Sequence, residues 1–105
     1  MNSEKFEQFN GLTPAEAERL AMLSEECAEV IQAAGKILRH GYESCNPLRD
    51  ASPTNRTDLR REILDVMAVL LLMVSEHDFD EIQRYEAQEV LERKLIYSHH
   101  QGEQA

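Results

Sequence analysis

Apolar residues recur with a helical period in two long segments of this chain. The second segment is apolar without a break from Val66 to Val74, which predicts a helix that is buried on almost every side. No segment alternates between apolar and polar residues as a half-buried strand does, so the chain is predicted to be all-α. The first segment has a narrower apolar arc, formed by Leu20, Leu23, Cys27, Val30, Ile31, Ala34, Ile37 and Leu38.

Turn and capping residues predict where the first helix begins and ends. Residues 13–16 read Thr-Pro-Ala-Glu, a capping box with proline at the first helical position. A long helix is therefore expected to start near Pro14 and to end near His40, because Gly41 is suited to a helix C-terminus.

The same signals predict two further helices. Thr57 is expected to cap the central apolar helix, which should run to about Ser75. Asp78 or Asp80 is expected to cap the third helix. Its inward-facing residues are predicted to be Ile82, Tyr85, Val90, Leu91 and Leu95.

These segments predict a single domain over residues 1–105. It has an N-terminal extension at 1–12 that carries Phe6 and Phe9, a long loop at 41–57 and a frayed polar tail at 98–105. A chain with three helices has too little other surface to bury a central helix that is this apolar. The predicted fold is therefore a helical bundle completed by self-association, as a homodimer or homotetramer.

Charge and length argue against two classes of partner. The chain has 11 Lys and Arg against 20 Asp and Glu, a net charge of −9, which opposes charge-driven binding to a nucleic acid polymer. No apolar run approaches the roughly 20 residues of a membrane span. The start shows no signal-peptide pattern, and two cysteines make no disulfide framework, so a reduced cytoplasmic location is expected.

Two pairs of carboxylates interrupt the apolar faces. Glu26 falls within the apolar arc of the first helix and Glu29 lies at its edge, while Glu62 and Asp65 share helical stripes with Val69. Members of each pair are spaced i, i+3, so like charges are neighbours, and burial would make their repulsion more costly. Oxygen-only ligands suit a hard divalent cation such as magnesium, manganese or calcium.

Three other interpretations compete with such a metal site. Acidic residues on helices are commonly solvated surface, although here both pairs intrude on apolar stripes. A carboxylate-bridged di-iron bundle would use Glu-x-x-His, and neither pair supplies the histidine. A non-catalytic acidic helical interaction module would tolerate neutralisation of all four carboxylates, whereas a metal-dependent enzyme would not.

The motif EECAE at residues 25–29, followed by EILD at 62–65, resembles the MazG-like all-α nucleoside triphosphate pyrophosphohydrolases of bacteria and phages. The similarity covers Leu20 to Val74, and the interval at 30–61 is longer than is usual in that family. The resemblance implies hydrolysis of a nucleoside triphosphate, ribo or deoxy, to the monophosphate and pyrophosphate. It also implies that Mg²⁺, with Mn²⁺ as a possible substitute, is bound by Glu26, Glu29, Glu62 and Asp65.

Individual roles follow from position on the helices. Glu26, the deepest carboxylate of the arc, is assigned to orient and deprotonate the attacking water. Lys36 lies two turns beyond Glu29 on nearly the same face, about 10 Å away, and could reach the terminal phosphates. Arg61 is placed to pair with Asp65 at i, i+4 and is a second candidate for substrate binding.

Two further substrate contacts are proposed from the sequence. Lys94, in a family-like Arg-Lys-Leu run near the end of the third helix, could contact phosphate across an oligomer interface. Loop residues could recognise the nucleotide base by stacking or hydrogen bonding, and the candidates are Tyr42, Asn46 and Asn55.

Overall fold

A computed structural model describes residues 9–48 and 52–101 of the chain, and Phe6 lies outside these ranges. The helices are α1, Pro14–His40; α2, Asn55–Ser75; and α3, Arg84–Leu95. No strand occurs in the described ranges, which confirms the predicted all-α class.

The start of α1 is fixed by the predicted capping box. The Thr13 hydroxyl accepts a hydrogen bond from the Glu16 backbone N–H at 3.1 Å, and Glu16 Oε1 accepts one from the Thr13 N–H at 2.8 Å. The helix ends as predicted at His40, because Gly41 adopts a positive φ of 87° that a residue with a Cβ rarely takes.

The start of α2 differs from the prediction, because Thr54 and not Thr57 is the N-cap. The Thr54 hydroxyl accepts a hydrogen bond from the Thr57 backbone N–H at 3.3 Å, so Thr57 is the partner of the cap. The first turn is also tied to the preceding loop, where the Asn55 N–H donates to the Ser44 carbonyl at 2.8 Å. The predicted end at Ser75 is confirmed.

Loss of this cap should destabilise the fold measurably. We expect Thr54→Ala to lower the free energy of unfolding by about 1 kcal/mol, because one helix N–H loses its acceptor. In a domain of this size the melting temperature should fall by roughly 4–8 °C, which calorimetry would show. Thr54→Ser keeps the acceptor and should melt close to wild type; equal losses in both variants would contradict the capping role.

The start of α3 also differs, since the helix begins at Arg84 after an N-cap at Gln83. Asp78 does not cap it, because both carboxylate oxygens accept hydrogen bonds from Arg19 of α1, at 2.6 and 2.8 Å. This ion pair is largely shielded, with side-chain exposures of 12% for Arg19 and 15% for Asp78. It anchors the segment after α2 to the first helix.

The described core lies between α1 and α2, and its buried apolar residues are Ala33, Val69 and Met73. Within the described ranges α3 packs against neither of the other helices. Most of its residues predicted to face inward are consequently exposed, namely Tyr85, Val90 and Leu91. Ile82, also predicted to face inward, lies before the helix begins and is exposed too.

Much apolar surface is left uncovered on α1 and α2 as well. Cys27, predicted on the core face, is exposed because α2 packs about 120° away round the helix, against Ala33. Large exposed side chains form stripes on both helices: Leu20, Ile31 and Leu38 on α1, and Leu64, Met67 and Leu71 on α2. The radius of gyration is 18.8 Å, against about 13 Å for a compact chain of 100 residues.

None of the described helices combines the length and the apolar character needed to cross a membrane.

Candidate metal centre

The packing of α1 against α2 brings the two acidic pairs together. Each of Glu26, Glu29, Glu62 and Asp65 offers one carboxylate oxygen, and these four oxygens lie within 4.8 Å of one another. The pairs are 33 or more residues apart in sequence, so the interhelical contact is what assembles the cluster. The four predicted ligands therefore share one site.

Two carboxylates of the cluster each have one oxygen that is shielded from solvent without a compensating partner. Glu26 Oε2 and Glu62 Oε2 are buried and take part in no hydrogen bond. None of the ion pairs found in residues 9–48 and 52–101 involves the cluster; they are Arg19–Asp78, Arg56–Glu43 and Arg61–Asp58. Shielded carboxylate oxygens that lack a donor or cation are costly, so this part of the chain does not itself neutralise the cluster.

Mutual repulsion and shielding change the acidity of two members. Desolvation, followed by repulsion from Glu29 and Asp65, raises the pKa of Glu26 above its ordinary value. The pKa of Glu62 is also raised, chiefly because its carboxyl hydrogen-bonds to that of Glu29, with desolvation and nearby charges adding to the effect. Both carboxyl groups therefore hold their protons more tightly than exposed glutamates do.

The donor set and its spacing fit a hard divalent cation. Magnesium and calcium bind carboxylate oxygens at about 2.0–2.6 Å, so two oxygens on one ion are at most roughly 4–5 Å apart. The spread of 4.8 Å within the cluster meets that limit for all four oxygens at once. Carboxylates without thiolate or imidazole disfavour zinc and copper.

A cavity of about 290 Å³ opens beside the cluster, and Glu29 and Glu62 form part of its wall. Lys36 also lines it, as expected for a residue on the Glu29 face of α1. Asp58, which the sequence reasoning missed, lines it too. The spacing of Asp58 and Glu62 at i, i+4 was a usable signal, since it puts both on one face of α2.

Other candidate residues lie elsewhere or are already engaged. Arg61 pairs with Asp58 at 3.1 Å and not with Asp65, because the i−3 carboxylate is also within reach along the helix. Lys94 lies on α3, which does not pack against the helices that carry the cluster. The Tyr42 ring is covered on one side by the Arg56 guanidinium, 4.3 Å from its centroid, so that face is closed to a base.

No family model, no curated protein and no solved structure was found to match this chain.

The raised pKa values predict how metal-free stability changes with pH. Groups with raised folded pKa values favour folding while protonated, and this contribution is lost as pH rises through the folded pKa. We expect metal-free protein to lose stability as the pH rises above about 4.5, the ordinary glutamate value. Urea unfolding in EDTA at several pH values would measure it.

The control for this pH dependence is the doubly neutralised variant Glu26→Gln/Glu62→Gln, in which the slope of unfolding free energy against pH should flatten. Asp78 does not interfere, because hydrogen bonds from Arg19 lower its pKa. The stability that Asp78 adds is present above the ordinary aspartate pKa and is lost only as the pH falls below it. Identical slopes in wild type and the double variant would contradict the assignment to the cluster.

Proposed function

We propose that the protein is a Mg²⁺-dependent nucleoside triphosphate pyrophosphohydrolase, with Mn²⁺ as a possible substitute. The observation that carries this proposal is the cluster of four carboxylate oxygens within 4.8 Å, two of whose carboxylates have a shielded oxygen with no partner. The type of reaction is proposed from the resemblance of EECAE and EILD to the MazG-like motif. The adjoining cavity, which Lys36 lines, has room for the phosphates.

In this proposal the two pairs Glu26 with Glu29 and Glu62 with Asp65 would hold the metal. When bound, a divalent ion would neutralise phosphate charge and lower the pKa of water. The Glu26 carboxylate, whose Oε2 has no hydrogen-bond partner, takes the proton of the attacking water. The water oxygen bonds to the α-phosphorus, the bond from that phosphorus to the α–β bridging oxygen breaks, and pyrophosphate leaves.

The remaining residues position the phosphates. Lys36 faces the cavity beside Glu29 and binds phosphate oxygens with its ammonium group. Arg61 could join it only by leaving Asp58, and its side chain is exposed enough to do so. Lys94 would reach phosphate only from a second copy of the chain.

Self-association is part of the proposal, because uncovered apolar stripes on α1, α2 and α3 need a partner surface. The partner we propose is another copy of the chain. Cys27 and Cys45 are both free thiols, which suits a reducing cytoplasmic location.

The direct test is product identity. With magnesium, purified protein should release pyrophosphate, and no orthophosphate as first product, from at least one ribo- or deoxynucleoside triphosphate. Glu62→Gln should reduce the rate by at least roughly a hundredfold, since it removes one charge from the metal ligands. Orthophosphate as first product would overturn the assigned bond, and metal binding without any turnover would favour the acidic interaction module.

A further inference from the structure

Two cavities of the described chain adjoin and share Lys36, Asn55 and Asp58 in their walls. The smaller one reaches the carboxylate cluster. The larger one, of about 580 Å³, lies between the last turn of α1 and the loop residues that follow. That volume falls within the roughly 300–1,000 Å³ of small-molecule sites. A ligand anchored at the cluster can therefore extend into the larger cavity.

The order of residues along this path is set by α1. Glu29, Lys36 and His40 lie within about 40° of one another on the helix surface, and His40 is about 16 Å beyond Glu29. A cation site thus comes first, then the Lys36 ammonium, then the wall formed by Arg39 and His40. This is the order in which an extended nucleotide presents its phosphates, its sugar and its base.

Building on the proposed function, we infer that the larger cavity holds the nucleoside half of the substrate and that Arg39 makes it selective for guanine. Arg39 carries five N–H donors and no acceptor, and no ion pair of the described residues occupies it. Guanine presents two adjacent acceptors, O6 and N7, which match a guanidinium. Adenine offers one acceptor beside one donor.

The junction of the two cavities suits the sugar. Asp58 lies there, and its Oδ1 accepts a hydrogen bond from Arg61 at 3.1 Å. Its other carboxylate oxygen, Oδ2, can accept from a sugar hydroxyl, whereas a phosphate at this place would be repelled by the carboxylate. An α-phosphate held between the cluster and Lys36 therefore leaves the sugar beside Asp58 and the base beside Arg39.

The first test measures base selectivity. We expect wild type to hydrolyse GTP with a higher kcat/KM than ATP. Arg39→Met should lower kcat/KM for GTP by roughly tenfold or more and change that for ATP little. Arg84→Met is the matched control, because Arg84 is the first residue of α3 and lines neither cavity, and it should change neither substrate. Equal losses on GTP and ATP in Arg39→Met would overturn the selectivity.

The second test reads binding without turnover. Cys45 lines the larger cavity, whereas Cys27 lies on the exposed stripe of α1. In Cys27→Ser protein, the α,β-methylene analogue of GTP with magnesium should slow the reaction of Cys45 with a thiol reagent severalfold. In Cys45→Ser protein the same analogue should leave the reactivity of Cys27 unchanged.

The two tests separate the inference from the function on which it rests. Protection of Cys45 by the GTP analogue in a protein that hydrolyses no triphosphate would support the cavity assignment and overturn the proposed reaction. Pyrophosphate release with no protection of Cys45 would overturn the cavity assignment and leave the reaction standing.

Discussion

Glu26→Gln is expected to abolish pyrophosphate release and, in EDTA, to raise the melting temperature of the protein. Turnover is lost because Glu26 is both a proposed metal ligand and the proton acceptor. Stability rises because a neutral amide removes one of four crowded carboxylates, and the raised pKa of Glu26 shows that its charge is disfavoured in the fold. Gains in stability at the cost of function are common at functional sites.

With magnesium, wild type should melt at a higher temperature than Glu26→Gln, the reverse of the order in EDTA. Ligand binding to the native state adds about 2.7 kcal/mol at a hundredfold excess over Kd, which corresponds to a rise of roughly 10 °C or more in a domain of this size. Wild type should gain that increment and Glu26→Gln should gain much less. Calorimetry of both proteins in EDTA and in magnesium measures the four melting temperatures.

The matched control is Glu18→Gln, an exposed glutamate on α1 two turns before Glu26 and outside the cluster. It removes the same charge, so it should melt close to wild type with and without metal and retain turnover. If Glu26→Gln followed Glu18→Gln in every condition, the cluster would be a solvated acidic face and the metal mechanism would be wrong.

Features that depend on local chemistry could be predicted from the sequence. The capping box at Thr13 and the glycine at position 41 act within one helical turn, so the bounds of α1 were correct. The acidic pairs were recognised because they interrupt apolar stripes, and helical periodicity alone placed each pair on one face. Their meeting within 4.8 Å depends on α2 packing against the Ala33 side of α1, and not against the stripe of Leu20, Ile31 and Leu38.

Features that depend on distant contacts could not be predicted in this way. Asp78 resembles a helix cap in sequence, but its carboxylate is bound by Arg19, a residue 59 positions away. The lack of packing of α3 against α1 and α2 could not be predicted either. An apolar helical period indicates that one face of a helix is to be buried, but it does not say whether the same chain or another copy buries it. The smaller error at Thr57 arose because two threonines three residues apart both fit a cap.

Leu71→Asp is expected to convert an oligomer into a monomer near 12.1 kDa. Leu71 is 73% exposed and Met67 is 54% exposed on the face of α2 that points away from α1. Both line an apolar cavity of about 360 Å³ with Phe79 and Ile82, a surface suited to another apolar segment. Light scattering at micromolar concentration should give a multiple of the chain mass for wild type.

The size of this effect follows from symmetry. A symmetric dimer buries each interface residue twice, and full burial of a leucine is worth about 1.5–3 kcal/mol, so removal from both copies costs about 3–6 kcal/mol. Every 1.4 kcal/mol is tenfold, which weakens Kd by roughly a hundredfold to ten-thousandfold before the cost of burying aspartate is added. Leu71→Met keeps an apolar side chain of similar volume and should remain oligomeric. A wild type with the mass of a single chain would show that this face is not an interface, and an oligomeric Leu71→Asp would place the contact on the stripes of α1 or α3 instead.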